Sequence, residues 1–257
     1  MSVMIENKGR VVLVTGGTRG IGRGIAEAYL TTGAEVWVCG RKEPEEVPAA
    51  DGRTARFISC NVRDPDDVNR MIDEIVAKSG RLDVLVNNAG GAPEAKAATA
   101  SPRFTSSIID LNLTSAIHCS QRANRQMQQQ EEGGQIVNIA SVSGVRPSPG
   151  TAAYGAAKAG LLNITTSLAV EWAPKVRLNC VTAGLIETEL AEMHYGDAEG
   201  VAAVAATVPL GRMGTPEDIA NACLFLSSPL SSYMSGAEIK LHGGGEKPAF
   251  LDAGNAK

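Results

Sequence analysis

Seven short apolar runs alternate along the chain with longer segments of helical periodicity. Each run has the length of a strand and is rich in aliphatic or β-branched residues. The runs lie at residues 10–14, 35–39, 56–60, 84–87, 135–139, 176–181 and 237–241. Such continuous apolar character is typical of strands covered on both faces, and the helical segments supply the covering layers. The alternation therefore predicts an α/β fold, built on a doubly wound, seven-stranded parallel sheet with helices on both faces.

Length and composition favour a single domain. The chain has 257 residues, 44% of them hydrophobic, which is enough for one substantial core over residues 1–257. Three segments rich in glycine, proline and small residues interrupt the pattern, at 91–102, 143–150 and 187–214. Each follows a strand, and ligands of open α/β sheets bind beyond the carboxyl ends of strands. We therefore predict that these segments are loops that form the substrate mouth.

Charge and residue patterning argue against several classes of function. The formal net charge of −4 gives no broad attraction to nucleic acid or to anionic lipid. No apolar run approaches the roughly 20 residues that cross a bilayer, and the amino terminus lacks the pattern of a secretion signal. The five cysteines have neither disulfide nor metal-ligand spacing. We expect a cytoplasmic protein with free buried thiols, no membrane segment and no metal site.

A glycine-rich turn at residues 15–22 connects the first predicted strand to a helical segment. Glycines let the backbone approach a pyrophosphate closely. The N-terminus of the helix adds unpaired N–H groups and a positive dipole end. The pattern predicts a dinucleotide site, and its contacting residues in this turn are Gly16, Thr18, Arg19, Gly20, Ile21 and Gly22.

The end of the second predicted strand indicates which dinucleotide binds. An acidic residue there would bind the ribose 2′-hydroxyl of NAD, but Gly40 and Arg41 occupy the region. Arg41, helped by Arg19, offers forked, charge-assisted hydrogen bonds to a 2′-phosphate. The sequence therefore predicts a preference for NADP(H). NAD(H) is the alternative if both arginines are only surface residues.

Three side chains carry the chemistry of proton transfer. Tyr154 and Lys158 stand four residues apart, which places them on one face of a helix, and Ser141 lies thirteen residues upstream. A phenol, an ammonium and a hydroxyl move a proton to or from a carbonyl oxygen while a cofactor supplies or removes hydride. An ordinary tyrosine ionises at roughly pH 10, and we expect the ammonium to lower the pKa of Tyr154.

The order of these motifs, with the segments 87–90 and 184–188, resembles the short-chain dehydrogenase/reductase family over nearly the whole chain. The resemblance implies a Rossmann-type fold and catalysis by Asn112, Ser141, Tyr154 and Lys158. Asn112 would hold a water beside the lysine, and a helix-interior hydrogen bond is its alternative role. Tyr154 and Lys158 would also contact the cofactor. The other implied cofactor contacts are Asn61, Val62, Asn88, Ala89, Gly90, Gly184, Ile186 and Thr188.

Two residues depart from the family pattern. Asn61 stands where the family commonly has aspartate, and Ala183 stands where it commonly has proline. An amide still bonds adenine, whereas losing the fixed φ of proline is expected to leave the loop toward the nicotinamide less preorganised. The resemblance also implies a homotetramer or a homodimer.

Together these features predict an NADP(H)-preferring oxidoreductase that interconverts a ketone and a secondary alcohol, with Tyr154 as general acid or base. The closest resemblance is to 3-oxoacyl-thioester reductases. One alternative is a dehydrogenase of a ring hydroxyl or ketone in steroid or alicyclic catabolism, and another is a non-catalytic dinucleotide-sensing protein. Arg103 and Arg146 would receive an acidic group or the phosphates of a coenzyme A thioester, unless they are solvated surface charges. His194 is the histidine that could contact substrate.

Overall fold

The computed structural model describes residues 5–248, except for the side chains of Met193 and His194. Within that range seven strands form one parallel sheet, and two short strands pair separately as an antiparallel ladder. The strands in chain order are β1 (Val11–Thr15), β2 (Glu35–Gly40), β3 (Ala49–Ala50), β4 (Arg53–Thr54), β5 (Arg56–Ser59), β6 (Val84–Asn87), β7 (Gly134–Ser141), β8 (Val176–Ala183) and β9 (Glu238–Leu241). The sheet has the order β5-β2-β1-β6-β7-β8-β9.

Helices lie on both faces of this sheet. Those between residues 5 and 248 are α1 (Gly20–Thr31), α2 (Pro65–Ser79), α3 (Pro102–Ile109), α4 (Ser115–Met127), α5 (Ala152–Trp172), α6 (Ala191–Tyr195), α7 (Ala198–Thr207) and α8 (Pro216–Ser227). Helices α1 and α8 pack on one face, and α2, α4 and α5 pack on the other. The predicted doubly wound, seven-stranded parallel sheet of the Rossmann type is confirmed.

Strand β1, in the middle of the sheet, is apolar on both faces because it contributes to two cores, whereas the edge strands β5 and β9 are partly exposed. In β1, Val12 and Val14 pack with Ile25 of α1, whereas Leu13 packs on the opposite face with Met71 of α2. All five side chains are fully buried. A strand buried on both faces needs no alternation of polar and apolar residues, which is why the seven runs were recognisable in the sequence.

Helix α2 shows how local signals set the ends of an element. The Asp64 side chain accepts a hydrogen bond from Asp66 N at 3.0 Å, and Pro65 occupies the first helical position, where a missing N–H costs nothing. Gly80 ends the helix in the left-handed conformation with a φ of 78°. Residue types that favour the start and the end of a helix therefore stand at both ends of α2.

The prediction of a loop at 187–214 is wrong in part, because the segment contains the helices α6 and α7. The Asp197 side chain caps α7 by accepting a hydrogen bond from Gly200 N at 3.1 Å. The alanine-rich stretch that follows favours a helix. Small residues are ambiguous in a sequence, since alanine favours helices while glycine favours turns.

The ladder of β3 and β4 was not predicted, although the sequence carries its signal. Asp51 and Gly52 connect the two strands with positive φ values of 53° and 71°. An Asp-Gly pair is the strongest short-range indication of a tight hairpin, but two-residue strands leave no pattern beside it. All five cysteines are free and buried, as expected. None of the helices between residues 5 and 248 has the length and apolar character that a membrane crossing requires.

Candidate active site

The site lies where the order of the strands reverses, between β1 and β6. Thr15 ends β1, and its Oγ1 accepts hydrogen bonds from Asn88 N and Ala89 N, both at 3.0 Å. Asn88 Nδ2 donates in return to the Thr15 carbonyl oxygen at 3.0 Å. These bonds join the carboxyl ends of two neighbouring parallel strands. They fix the floor of the crevice in which ligands of open α/β sheets bind.

The glycine turn after β1 brings backbone close to this crevice. A Cβ on Gly22 would lie 2.3 Å from the Gly16 carbonyl oxygen and 2.4 Å from Asn88 Nδ2. No side chain fits at such distances, so the packing of α1 against the strand ends requires glycine at this position. Ile21, the next residue toward the turn, packs against the core that α1 covers. The predicted turn residues 16–22 are therefore brought together at the start of α1.

Helix α1 begins without a cap from its own sequence. Arg19 is the N-cap residue, but its side chain makes no capping hydrogen bond, and the first turn contains no acidic residue. The Gly20 N–H donates instead to Glu189 Oε1 at 2.9 Å. An anionic oxygen is the group that unpaired N–H donors and the helix dipole favour at this end. The residues present therefore fit the phosphates of a dinucleotide.

Two arginines flank the glycine turn. The end of β2 lies beside it, because a Cβ on Gly40 would be 3.7 Å from Thr18 Cγ2. Arg41 follows β2, Arg19 precedes α1, and both side chains are exposed. No carboxylate among residues 5–248 forms an ion pair with either guanidinium. Both charges therefore remain available to an anion.

Asn61 and Val62 follow β5, and the environment of Asn61 explains its departure from the family pattern. The Asn61 N–H donates to Asp67 Oδ2 at 2.6 Å, and this bond holds the pKa of Asp67 below its ordinary value. The Asn61 side-chain oxygen accepts from Arg63 N at 3.4 Å. An aspartate at position 61 would place a second negative charge close to Asp67, whereas an amide adds none. Val62 is buried.

Gly90 lies between two buried polar side chains. A Cβ on Gly90 would be 2.6 Å from Asn112 Oδ1 and 3.4 Å from Lys158 Nζ. The missing side chain therefore allows an amide and an ammonium to approach the same strand end. This places the motif after β6 beside the residues predicted to carry catalysis.

Asn112 is held by a feature that the sequence did not reveal. Residues Asp110–Thr114 form one π-helical turn between α3 and α4. Asn112 Oδ1 accepts from Gly91 N at 2.8 Å, and Asn112 Nδ2 donates to Gly91 O and to Ile108 O, each at 2.9 Å. The Ile108 bond is the helix-interior bond considered as the alternative role. The Gly91 bonds also tie the segment after β6 to this turn, and π turns are frequent at functional sites.

Tyr154, Lys158 and Ser141 are brought together at the carboxyl end of β7. Ser141 ends that strand, and α5 carries the other two side chains one turn apart. Lys158 Nζ lies 5.6 Å from the centroid of the Tyr154 ring and donates to Ile139 O at 2.7 Å. Lys158 is only 4% exposed, and burial lowers its pKa to about 8. A nearly buried ammonium thus stands beside the phenol.

The expected lowering of the Tyr154 pKa is not found. Burial raises the pKa of Tyr154, and its hydrogen bond with Ser141 opposes that rise. A third, smaller effect is the nearby Tyr195, which raises the pKa further. Removal of the phenol from water is the largest effect on this pKa. Tyr154 is therefore protonated at neutral pH.

Ala183 lies inside β8, where it was expected to precede a less ordered loop. It is 5% exposed and pairs in the sheet with Ser141 on one side and Leu241 on the other. Gly184 N then donates to Leu241 O at 2.8 Å. Strand pairing therefore restrains the backbone at Ala183 itself, and reduced preorganisation of the loop beyond Gly184 stays a prediction.

The residues after Gly184 lead away from the sheet toward α1. Ile186 forms an isolated parallel bridge with Gly214, so the two ends of the segment 187–214 are joined. Thr188 Oγ1 accepts from Leu190 N at 3.3 Å. A Cβ on Gly20 would lie 3.6 Å from Thr188 Cγ2. The predicted contacts of the nicotinamide end therefore lie against the glycine turn.

The predicted mouth segments are joined by polar contacts. Ala95 N donates to Gly150 O at 2.8 Å, which links the segments 91–102 and 143–150. Arg146 Nη2 pairs with Glu246 Oε1 at 2.5 Å. Arg146 is therefore already neutralised, while Arg103 is exposed at the start of α3.

The histidines contribute little to the described site. His118 lies on α4, and no hydrogen-bond partner for its buried Nδ1 lies between residues 5 and 248. The His194 side chain lies outside the described residues, so its predicted substrate contact stays a prediction. No group of three or more potential metal ligands is gathered in the described part of the chain. Sequence analysis missed Glu189, Tyr195 and Glu246, because single polar residues in irregular segments leave no pattern.

Comparisons with known proteins agree with this geometry. The family described as enoyl-(acyl carrier protein) reductase matches residues 16–246. The 3-oxoacyl-(acyl-carrier-protein) reductase of Chlamydia muridarum is 37% identical over 95% of this chain and 99% of its own. A tropinone reductase homologue of Arabidopsis thaliana is 38% identical over 92% of each chain.

A solved structure extends the likeness to three dimensions. The ligand-free aldohexose dehydrogenase of Thermoplasma acidophilum superposes with a TM-score of 0.86 and 32% identity, covering 92% of this chain and 94% of its own. Fold, motif order and sequence identity therefore agree over nearly the whole length. The chain is an oxidoreductase that belongs to the short-chain dehydrogenase/reductase family.

Proposed function

We propose that this enzyme prefers NADP(H) and reduces the ketone of a 3-oxoacyl thioester to a secondary alcohol, with Tyr154 as the acid. The observation that carries the proposal is the convergence of Ser141, Tyr154 and Lys158 beside Gly90, in the crevice where the strand order reverses. Such a set of side chains fits acid–base chemistry at a carbonyl oxygen.

The dinucleotide is held by the glycine turn and the strand ends around it. The N-terminus of α1 would hold its phosphates, Asn61 and Val62 would flank the adenine, and the segment with Gly184, Ile186 and Thr188 would hold the nicotinamide end. Asn88, Ala89 and Gly90 line the floor between them. When bound, the cofactor supplies or removes hydride. The chain's own residues perform the rest.

Tyr154 donates the proton in the direction of reduction. Burial raises its pKa, so the phenol carries its proton at neutral pH, which is the form that an acid requires. Ser141 hydrogen-bonds the same substrate oxygen and stabilises the negative charge that develops there. In oxidation the Tyr154 phenolate accepts the proton of the alcohol, and Ser141 hydrogen-bonds the same oxygen. The protonated phenol is thus the form of Tyr154 that the reductive step uses.

Lys158 and Asn112 support this step. The Lys158 ammonium favours the phenolate that remains after the proton has left. Its position beside Gly90 and the Tyr154 ring supports the proposal that it also binds the nicotinamide ribose. Asn112 holds the segment after β6 and a water beside the lysine. That water would return a proton from solvent to Tyr154.

Arg41 and Arg19 support the preference for NADP(H). Both are exposed, unpaired with carboxylates in the described residues, and adjacent to the turn that faces the phosphates. Arg41→Ala should reduce kcat/KM with NADPH by about tenfold, because a charge-assisted hydrogen bond is lost, and leave kcat/KM with NADH within about twofold. Arg125→Ala, an exposed arginine of α4, is the control. Equal losses with both cofactors would contradict the assignment.

The thioester substrate is supported by the relatives named as 3-oxoacyl-(acyl-carrier-protein) reductases. A ring ketone is the second candidate, supported by the tropinone reductase homologue. Initial rates with acetoacetyl-coenzyme A, the matched free acid and a panel of cyclic ketones would separate the two. We expect the highest kcat/KM with the thioester. A cyclic ketone that exceeds it at least tenfold would favour the second candidate.

The proposal also covers the domain organisation, the location in the cell and the assembly of the enzyme. Residues 1–257 act as one domain, and the segments 91–102, 143–150 and 187–214 surround the substrate. The enzyme works in the cytoplasm as a homotetramer or a homodimer. Sedimentation analysis tests the assembly, and a monomer at micromolar concentration would contradict it.

A further inference from the structure

A carboxylate lies where the phosphates of the cofactor are proposed to bind. Glu189 Oε1 accepts the Gly20 N–H at 2.9 Å, although 169 residues separate the two. A Cβ on Gly20 would lie 3.8 and 3.9 Å from the two carboxylate oxygens. The segment after β8 is therefore laid over the first residue of α1.

This contact is the main polar interaction of Glu189. No lysine or arginine side chain that the structure describes forms an ion pair with its carboxylate. The helix it meets has twelve residues, no side-chain cap and no acid in its first turn. The negative charge is thus directed at the dipole end of α1 and at an N–H that would otherwise lack a partner.

We propose that Glu189 occupies the place of a cofactor phosphate and withdraws when the dinucleotide binds. The proposal rests on the proposed function, because it needs phosphates at the N-terminus of α1. A carboxylate and a phosphate are both anionic acceptors, so they compete for one N–H and repel each other at contact distance. Displacement of Glu189 is part of the binding equilibrium and weakens the apparent affinity for the cofactor.

Withdrawal of Glu189 also changes the segment that carries it. Thr188, its neighbour, is predicted to contact the nicotinamide end, and Leu190 leads directly into α6 beside the mouth. Arrival of the phosphates is therefore coupled to rearrangement of residues that meet the substrate. Coupling of this kind is reciprocal, so substrate contacts that draw the segment off α1 strengthen cofactor binding.

Dissociation constants test the competition directly. Glu189→Gln keeps an acceptor oxygen and removes the charge, whereas Glu187→Gln makes the same change at an exposed residue of the segment that has no contact with Gly20. We expect Glu189→Gln to lower the Kd of NADPH and of NADH by about threefold to fivefold, and Glu187→Gln to leave both within about 1.5-fold. Adenosine 2′-monophosphate lacks the pyrophosphate, so its Kd should be equal in all three proteins.

Three results would overturn the proposal. The first is an unchanged or higher Kd for both dinucleotides in Glu189→Gln. The second is an equal gain in Glu187→Gln, which would indicate general electrostatics. The third is an equal gain for adenosine 2′-monophosphate. Failure of the wild-type protein to bind either dinucleotide would instead reject the proposed function itself. Glu189→Ala repeats the test without an acceptor oxygen, and thermal unfolding verifies that each variant is folded.

Discussion

The cofactor side and the substrate side of this site are built differently. Around β1 and β6, buried contacts hold backbone and side chains together, as where Thr15 Oγ1 accepts two N–H groups and Gly22 leaves no room for a Cβ. Around the mouth, the connections include a partly exposed ion pair between Arg146 and Glu246, a backbone hydrogen bond from Ala95 to Gly150 and a bridge at Ile186. We call the carboxyl ends of β1, β6 and β7, with the side chains packed against them, the frame. We infer that the frame positions the groups that react, while the less constrained mouth segments determine which substrate binds.

The comparison predicts that disturbing the frame costs much more than disturbing the mouth. Lys158 is the extreme case, because the frame buries a positive charge against the Ile139 carbonyl oxygen. Burial of this charge lowers the stability of the fold, and it positions the ammonium beside Tyr154.

The largest effect concerns the titration of Lys158. Its pKa is about 8 when folded and 10.5 when exposed, so the folded state holds fewer protons between those values and stability rises with pH. The penalty is fully present below pH 8 and amounts to about 3 kcal/mol. Denaturant unfolding of the wild type and of Lys158→Met from pH 7 to 10.5 should show a gain in the wild type that the variant lacks. Parallel curves would contradict a buried ammonium.

Gly90→Ala disturbs the frame at its crowded point. A Cβ at 2.6 Å from Asn112 Oδ1 must displace the amide, which lies beside Lys158 Nζ, itself 3.4 Å from that Cβ. We expect kcat to fall about 100-fold, because a displacement of about 1 Å at catalytic groups has effects of that size. Steady-state kinetics with NADPH and acetoacetyl-coenzyme A provide the measurement. Activity within threefold of the wild type would show that this frame tolerates adjustment.

Glu246→Gln disturbs the mouth and should have the smallest effect. The pair with Arg146 is partly exposed, so its loss should change Tm by no more than about 2 °C. Freed from its partner, Arg146 would attract the phosphates of a coenzyme A thioester, and KM for acetoacetyl-coenzyme A should fall about twofold to threefold with kcat unchanged. A decrease in Tm above 5 °C would place this pair within the frame.

The same contrast explains how much the sequence revealed. Some features depend only on local residue types and can therefore be predicted from the sequence. They are the strands buried on both faces, the two ends of α2 at Asp64 and Gly80, and the glycine turn. The three side chains at β7 and α5 were also placed correctly relative to one another. Periodicity and spacing carry this information because secondary structure is itself periodic.

Features that depend on contacts between residues far apart in the sequence could not be predicted from it. Asn112, in the π turn, bonds to Gly91 on another element, and the bond from Gly20 N to Glu189 joins residues far apart in sequence. The direction of the Tyr154 pKa was predicted wrongly because spacing to Lys158 gives the charge nearby, whereas burial is a property of the whole fold. Desolvation and long-range hydrogen bonds leave no periodic signal in the chain.

The most direct test of the account is a single turnover by Tyr154→Phe. Enzyme carrying NADPH is mixed rapidly with acetoacetyl-coenzyme A, and the loss of NADPH absorbance is followed in the variant, in the wild type and in Tyr233→Phe, a fully exposed tyrosine. The account predicts that Tyr154→Phe binds NADPH with the Kd of the wild type but consumes it about 1000-fold more slowly, while Tyr233→Phe is unaffected. Consumption at the wild-type rate by Tyr154→Phe would contradict the account.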